Sequence, residues 1–300
     1  MKHVVETQQF DQESLETLFT LADRLQESPE PTALSGKTMA SLFYEPSTRT
    51  RLSFESAMVK LGGAVIGTEN AGEFSSAAKG ETLEDTIRVI NGYADVIVIR
   101  HPEVGSAAKA ALASEVPVVN AGDGIGQHPT QALLDLYTVR KEFGEVSGKH
   151  VAFVGDLKNG RTVRSFVYML SKYPGVKITF VAPSELGMAS DIKDHLTEKG
   201  ISFSETEDME SVLKDADVIY QTRIQKERFP SKDEYLKFKG RYVITREVAD
   251  RMKEEAIIMH PLPRVDEIEP EVDASPHARY FEQARNGLYV RMALLYTLLH

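Results

Sequence analysis

A run of hydroxyl and guanidinium side chains stands between an apolar segment and an amphipathic helix pattern. It reads Glu45-Pro46-Ser47-Thr48-Arg49-Thr50-Arg51. Hydroxyls at a helix start lie beside free backbone N–H groups, and the guanidinium of Arg49 suits phosphate oxygens. The glycines and terminal lysine of a P-loop are missing. The run predicts an anion-binding site, although a capped helix with solvated arginines fits the same residues.

Two more candidates follow in the first half of the chain. Arg100 ends the apolar run Val96 to Ile99, where a second anion or carbonyl ligand would lie. His128 and Gln131 open a long helix pattern after a glycine-rich loop. A neutral imidazole can donate to a developing oxyanion, and a glutamine about one turn later can bind an amide on the same side. A surface arginine, a capping histidine and a solvated glutamine are the alternatives.

The second half carries three polar segments after apolar runs. The segment 155–161 lacks the G-x-G-x-x-G spacing of a dinucleotide loop, so Arg161 is better interpreted as a carboxylate binder. The segment 222–228 is rich in charge, and a solvated loop is its simpler interpretation. In His260-Pro261-Leu262-Pro263-Arg264, two prolines fix an extended turn whose carbonyls can accept hydrogen bonds, for example from an NH₂ group.

These segments need strand ends to position them, and the hydrophobic pattern supplies the strands. Short apolar runs alternate with helical spacing in both halves of the chain, which predicts an α/β fold of two doubly wound parallel-sheet domains. The helix pattern 130–143 would bridge them, and the C-terminal helix would pack back on the first domain. We predict one domain at 1–135 plus 285–300 and a second at 136–284.

Composition excludes several classes of function. The chain has 300 residues, a formal net charge of −10 and no cysteine. Nonspecific nucleic-acid binding needs a basic face, and disulfides, thiolate nucleophiles and Cys-based zinc sites need cysteine. Polar residues interrupt the first ten positions, and no apolar run approaches about 18 residues, so we expect no membrane association and a cytoplasmic protein.

Taken in order, these motifs resemble those of the transcarbamoylases over nearly the whole chain. The resemblance implies that Ser47, Thr48, Arg49 and Thr50 bind the phosphate of carbamoyl phosphate. It also implies that Arg100, His128 and Gln131 bind its carbonyl oxygen and amide, with Thr50, Arg100 and His128 as the catalytic donors. No cofactor and no metal are implied.

The segments 222–228 and 260–264 are similar to the aspartate-specific branch of the family. Ornithine-specific members carry a His-Cys-Leu-Pro motif, whereas this chain has Pro261 there. The resemblance implies that Arg161, Arg223 and Gln225 bind the aspartate carboxylates, and that the carbonyls of Pro261 and Leu262 accept from the carbamoyl nitrogen. The implied reaction forms N-carbamoyl-L-aspartate and phosphate, an early step of pyrimidine (UMP) biosynthesis.

The resemblance further implies a homotrimer with shared active sites. Ser75 and Lys79 would reach the neighbouring subunit's site, and Lys79 would also contact aspartate there. Glu45 would pair with Arg161 or Arg228 on domain closure. Family loops often have two adjacent lysines where this chain has Ala78-Lys79, and many relatives have tyrosine in place of Asn159. A separate regulatory chain stays open.

Two other interpretations fit the motifs. One is a transcarbamoylase specific for ornithine or a modified amino acid. The other is a noncatalytic α/β protein that binds an anion or a nucleotide. Assays with aspartate and ornithine side by side distinguish the first, and carbamoyl phosphate binding without turnover would indicate the second.

Overall fold

The computed structural model describes residues 2–71 and 79–300, except for the side chain of Glu227. The chain divides into two compact units. Unit 1 contains Met1–Tyr137 and Ala284–His300, and unit 2 contains Thr138–Gln283. Both units are α/β, with every strand pair parallel, so the predicted fold class is confirmed.

Unit 1 is built on four strands. They are β1 (Thr38–Phe43), β2 (Ala64–Glu69), β3 (Val96–His101) and β4 (Val118–Asp123). The helices that begin in it are α1 (Gln12–Glu27), α2 (Thr48–Lys60), α3 (Leu83–Ile90), α4 (Ser106–Ala113) and α5 (Pro129–Phe143). The chain passes into unit 2 within α5.

Unit 2 is built on five strands. They are β5 (His150–Val154), β6 (Lys177–Val181), β7 (Ser202–Thr206), β8 (Val218–Gln221) and β9 (Ile257–Met259). Its helices are α6 (Arg161–Leu170), α7 (Ser190–Glu198), α8 (Lys232–Leu236) and α9 (Arg246–Ala249). The last helix, α10 (Tyr280–Leu299), begins in unit 2 and continues in unit 1.

Local chemistry explains where the early helices begin and end. The Asp11 carboxylate accepts from the Ser14 N–H at 2.8 Å and caps α1. Helix α2 ends at Lys60, just before Gly62, which has a φ of +87°. A Cβ at Gly62 would lie 2.3 Å from the Pro31 carbonyl oxygen, so only glycine fits this turn.

The strand order reverses once in each sheet. The order is β2-β1-β3-β4 in unit 1 and β7-β6-β5-β8-β9 in unit 2. The reversal falls between β1 and β3 and between β5 and β8. Ligands of open α/β sheets bind outside the carboxyl ends of the strands at such a reversal. The segments that follow these four strands are therefore the ones to examine for a site.

The sequence pattern missed two strands, β2 and β7. Both are edge strands, and most of their side chains are partly or fully exposed. Strand β7, which reads Ser-Phe-Ser-Glu-Thr, carries no continuous apolar run, so the pattern that revealed the central strands is absent from it. Strand β2 does begin with the apolar run Ala64 to Ile66, but this run is short and ends at Gly67. The central strand β3, by contrast, is buried along Val96 to Ile99.

Candidate active site

The predicted anion-binding run forms the start of helix α2. Ser47 is the N-cap residue, and its side chain makes no capping hydrogen bond among the residues that the structure describes. The first N–H groups of α2 therefore keep their capacity to bind an anion. Thr50 is buried, whereas Thr48 and Arg49 are exposed. Partial burial lowers the pKa of Arg49, although the side chain keeps much exposed surface.

Arg100 is held beside this helix start by strand pairing. Phe43, the last residue of β1, is the register partner of Arg100 on β3, and the Tyr44 N–H donates to the Arg100 carbonyl at 2.8 Å. The Arg100 Nε lies 3.5 Å from a carboxylate oxygen of Glu45. The Arg100 guanidinium therefore lies beside the start of helix α2, and Glu45 is an acidic partner that can orient it.

His128 and Gln131 begin helix α5, as expected. The His128 carbonyl accepts from the N–H groups of Gln131 and Ala132 at 3.0 and 3.1 Å, and the His128 side chain is only 4% exposed. Asp123 fixes the preceding loop, because its carboxylate accepts from the N–H groups of Gly105 and Gln127 at 2.9 and 2.7 Å. The imidazole is thus carried on a rigid loop, which suits a donor to a developing charge.

In unit 2, a buried carboxylate joins the two loops at the strand reversal. Asp156 follows β5, is fully buried, and accepts from the backbone and side-chain amides of Asn159 at 3.1 Å. Burial raises the pKa of Asp156, and hydrogen bonds from Asn159 and from the Gln225 N–H oppose that shift. Asn159, the side chain that departs from the family pattern, is therefore a hydrogen-bond donor to this carboxylate. Asp156 ties the Arg161 loop to the loop after β8.

Gly155 lets these two loops approach each other. Its φ is +120°, and a Cβ there would lie 2.4 Å from the Thr222 carbonyl oxygen. Thr222 in turn donates from its N–H and its hydroxyl to the Val154 carbonyl at 2.8 and 3.0 Å. The chain can only continue to Arg223 along this path if residue 155 has no side chain.

The candidate carboxylate binders of unit 2 lie after these strands. Arg161 is the first residue of α6, and Gln225 precedes a short turn at Lys226–Arg228. Arg161, Arg223 and Gln225 are half-buried, and Arg228 is exposed. Their grouping around the β5 and β8 ends concentrates positive charge on a chain whose net charge is −10.

A buried histidine shapes the loop at the end of β9. The His260 Nδ1 accepts from the Leu262 N–H at 2.8 Å, so its Nε2 carries the proton and donates to Glu267 at 2.7 Å. The other carboxylate oxygen of Glu267 accepts from the N–H groups of Val265 and Asp266 at 3.1 Å. Leu262 adopts a φ of +53°. The Pro261 and Leu262 carbonyls thus project from a turn whose backbone is fixed by Glu267.

The structure describes only some of the remaining predicted site residues. Lys79 is exposed, and Ser75 lies outside the described residues. The closing pair of Glu45 with Arg161 or Arg228 joins residues of different units and stays a prediction. Among residues 2–71 and 79–300, no group of three or more His, Cys, Asp or Glu could hold a metal ion.

Sequence reasoning missed three buried carboxylates: Asp135, Asp156 and Glu267. Each accepts hydrogen bonds from a predicted site residue or from its loop. A carboxylate spaced four residues after Gln131 on a helix was a signal that could have been used, because such residues face each other. Glu267 had no comparable signal, since its partner is seven residues earlier in an irregular loop.

Family models match almost the entire chain. Residues 2–141 match the carbamoyl-P binding domain of aspartate/ornithine carbamoyltransferase, and residues 147–298 match the Asp/Orn binding domain. The chain belongs to the aspartate/ornithine carbamoyltransferase family. A pea (Pisum sativum) relative, aspartate carbamoyltransferase 2, chloroplastic, is 57% identical over 301 residues, which are 99% of this chain and 78% of the relative.

Solved structures of this carbamoyltransferase family share the fold. The catalytic subunit of aspartate transcarbamoylase from M. jannaschii is 51% identical, with a TM-score of 0.93 over 100% of this chain and 98% of that one. Aspartate transcarbamoylase from Trypanosoma cruzi, solved with carbamoyl aspartate and phosphate, is 39% identical. Its TM-score is also 0.93, over 100% of this chain and 96% of that one.

In this family member, no helix of the described residues is both long enough and apolar enough to cross a membrane.

Proposed function

We propose that the chain is an aspartate carbamoyltransferase. It transfers the carbamoyl group of carbamoyl phosphate to the amine of L-aspartate and releases phosphate, an early step of pyrimidine biosynthesis. The observation that carries the proposal is the pair of strand reversals, each followed by basic side chains in a protein of net charge −10. Two anionic substrates need two such concentrations of positive charge.

Unit 1 provides the groups that we assign to carbamoyl phosphate. Ser47, Thr48 and Arg49 bind the phosphate, with Lys79 of a neighbouring subunit. Thr50, Arg100 and His128 donate to the carbonyl oxygen, and Gln131 binds the amide. Support comes from the free helix start of α2 and from the register that sets Arg100 beside it.

Unit 2 provides the groups that we assign to aspartate. Arg161 binds the α-carboxylate, and Arg223 and Gln225 bind the β-carboxylate. The loop 260–264 presents the Pro261 and Leu262 carbonyls to the carbamoyl nitrogen. The proposal is supported by Asp156, which accepts from the Gln225 N–H and so links this loop to the Arg161 loop.

The reaction needs no covalent enzyme intermediate. The neutral amine attacks the carbonyl carbon, a tetrahedral oxyanion forms, and the bond to the phosphate oxygen breaks. Losing one preorganised oxyanion donor typically costs about 10²- to 10³-fold in rate. The leaving phosphate takes the amine proton, since no side chain assigned to the site is an evident general base.

Specificity for aspartate rather than ornithine rests on charge. Ornithine carries a cationic side chain, which the guanidinium of Arg223 would repel, whereas aspartate carries a second carboxylate. Pro261 stands where ornithine-specific members have cysteine, and the chain contains no cysteine. Relatives named aspartate carbamoyltransferase at 57% identity support the same choice.

We also propose assembly into a homotrimer with shared sites. Edge strand β2 exposes 41% of Ile66, and the adjacent helix α2 exposes 55% of Leu52 and 62% of Val59. An edge strand beside exposed apolar side chains is typical of a surface that another chain covers. Ser75 and Lys79 of one subunit would complete the site of the next. Measuring the molecular mass of the purified protein in solution would detect the trimer. A separate regulatory chain is a further candidate partner.

Cytoplasmic location stays a proposal. The absence of cysteine is compatible with a reducing compartment. Named relatives include chloroplastic proteins. Cell fractionation with an antibody to this chain distinguishes the two locations.

The decisive experiment is an assay of the purified chain with carbamoyl phosphate and either aspartate or ornithine. We expect carbamoyl-aspartate and an equal amount of phosphate, and no carbamoyl-ornithine. If carbamoyl-ornithine forms and carbamoyl-aspartate does not, the chain is an ornithine-specific enzyme instead. Binding of carbamoyl phosphate without turnover of either amine would indicate a noncatalytic protein.

A further inference from the structure

Two side chains of opposite charge are buried inside unit 1. Asp135 on α5 is fully buried, and Arg291 on α10 is 3% exposed. Burial lowers the pKa of Arg291 to about 10, and the charge of Asp135 opposes that shift. Buried charges are weak evidence for stability, because the cost of removing them from water can exceed their mutual attraction.

The surroundings of Arg291 are built to hold it. Its Nη1 donates to the Ser53 hydroxyl at 3.0 Å, and its guanidinium lies 5.1 Å from the centre of the Phe54 ring. A Cβ at Gly287 would lie 2.5 Å from the Arg291 Nη1, so a glycine provides the space. Ser53 and Phe54 belong to α2, the helix that begins at the proposed phosphate site.

Asp135 has a second partner one turn earlier on its own helix. The Gln131 Nε2 donates to the Asp135 Oδ1 at 2.8 Å, and both side chains are buried. An ionised carboxylate only accepts hydrogen bonds, so it must receive the NH₂ end of the glutamine amide. The opposite end of that amide is a carbonyl oxygen, which can only accept.

We propose that Asp135 is a specificity-determining positioning residue that fixes the amide of Gln131 with its carbonyl oxygen toward the ligand. Gln131 then accepts from the NH₂ of a carbamoyl group, whereas a methyl group in its place has no hydrogen to donate to the Gln131 oxygen. The inference rests on the proposed assignment of Gln131 to carbamoyl phosphate.

The test compares carbamoyl phosphate with acetyl phosphate, which has a methyl in place of the NH₂. The intact protein should bind carbamoyl phosphate at least about five- to tenfold more tightly, the value of one hydrogen bond. In Asp135→Asn, either end of the new amide can face Gln131, so Gln131 is free to turn. The preference should fall about five- to tenfold, mainly through weaker carbamoyl phosphate binding, and only the part supplied by the Pro261 and Leu262 carbonyls should remain. Equal affinities in the intact protein would overturn the proposal whether or not any variant folds.

Two further variants separate positioning from stability. Asp135→Asn combined with Arg291→Met removes both buried charges, so it should recover thermal stability while the preference stays lost. Recovery of the preference in this double variant would assign the effect to the ion pair and overturn the proposal. Asp23→Asn is the control at another carboxylate that contacts α5: Asp23, on α1, accepts from the hydroxyl of Tyr137 on α5 at 2.6 Å, and its loss should leave the preference unchanged.

Gln131→Leu distinguishes this inference from the assignment on which it rests. If Gln131→Leu binds carbamoyl phosphate as the intact protein does, the assignment of Gln131 is wrong. If Gln131→Leu loses the preference but Asp135→Asn keeps it, the assignment holds and the positioning role of Asp135 is rejected.

Discussion

Phe43 at the end of β1 is the register partner of Arg100 on β3. The chain leaves β1 at Phe43 and enters the hydroxyl-rich start of α2 within five residues. The pairing therefore sets a guanidinium beside the first N–H donors of helix α2, at the strand reversal of unit 1. Phosphate oxygens and a carbonyl oxygen can both be bound there, because backbone N–H groups and a guanidinium are donors only.

Arg223→Ala should weaken the binding of aspartate far more than the binding of carbamoyl phosphate. It deletes the proposed partner of one carboxylate, and such a charge-assisted contact is worth about 1.5 to 3 kcal/mol. The aspartate KM should therefore rise at least about tenfold. Arg246→Ala, an exposed arginine paired with Asp250 in the same unit, is the control and should change neither constant. An unchanged aspartate KM in Arg223→Ala would remove Arg223 from the site.

His128→Ala should lower turnover and leave carbamoyl phosphate binding largely intact. Its donor matters most when negative charge develops on the carbonyl oxygen, so kcat should fall about 10²-fold or more. Steady-state kinetics and equilibrium binding measure the two effects separately. Weakened binding with normal kcat would instead make His128 a structural residue of the α5 start.

Arg49→Ala and Lys79→Gln should each be nearly inactive, and mixing them should restore activity. In a cyclic trimer that contains both variants, about one interface in three joins an intact pocket to an intact loop. Random exchange of equal amounts of the two variants gives an intact pocket beside an intact loop at about one site in four. Activity should therefore recover to about one quarter of that of the intact protein. Unexchanged mixtures are the control and should stay inactive. No recovery after demonstrated exchange would refute the shared site.

Glu267→Gln should lose stability in a pH-dependent way. Burial alone would raise the pKa of Glu267, but the hydrogen bond from His260 and those from backbone N–H groups outweigh it and lower the pKa below the ordinary 4.5. The stabilisation is therefore present above about pH 4.5 and is lost as pH falls through the folded-state pKa. We expect a loss of about 1.5 to 3 kcal/mol at pH 7.

Urea unfolding of Glu267→Gln and the intact protein from pH 7 downward tests this prediction. The difference in unfolding free energy should shrink as pH falls, since a protonated glutamic acid resembles glutamine. Glu271→Gln, at an exposed position nearby, is the matched control and should show no such trend. A constant difference at every pH would mean that the Glu267 charge does not stabilise the turn.

The amino-acid sequence by itself determined the local features of this protein. Asp11 was predictable as the cap of α1, since a side-chain carboxylate and the first helix N–H groups are neighbours in the chain. The central strands were predictable because their burial on both faces demands continuous apolar runs, as in Val96 to Ile99. The polar segments after those strands were evident for the same reason, because each one interrupts an apolar run.

Tertiary structure decided which of those segments meet. The segments that carry Thr50 and Arg100 are some fifty residues apart, and only the pairing of β3 with β1, on the side opposite β2, brings their strand ends together at the reversal. Strand order depends on how helices cover both faces of a sheet, which is a property of the whole unit and of no single segment. The exposed edge strands β2 and β7 escaped notice because they are defined by their backbone partners rather than by burial.

The buried carboxylates were decided in the same way. Asp135 has the sequence pattern of an ordinary polar helix residue, and only the fold buries it in the same unit as Arg291, which lies 156 positions later. Glu267 likewise gains its role only when β9 ends beside it and His260 turns inward. A charged side chain that water solvates in the unfolded chain needs no partner. A charged side chain in a packed interior does need one, so the fold determines which residue that partner is.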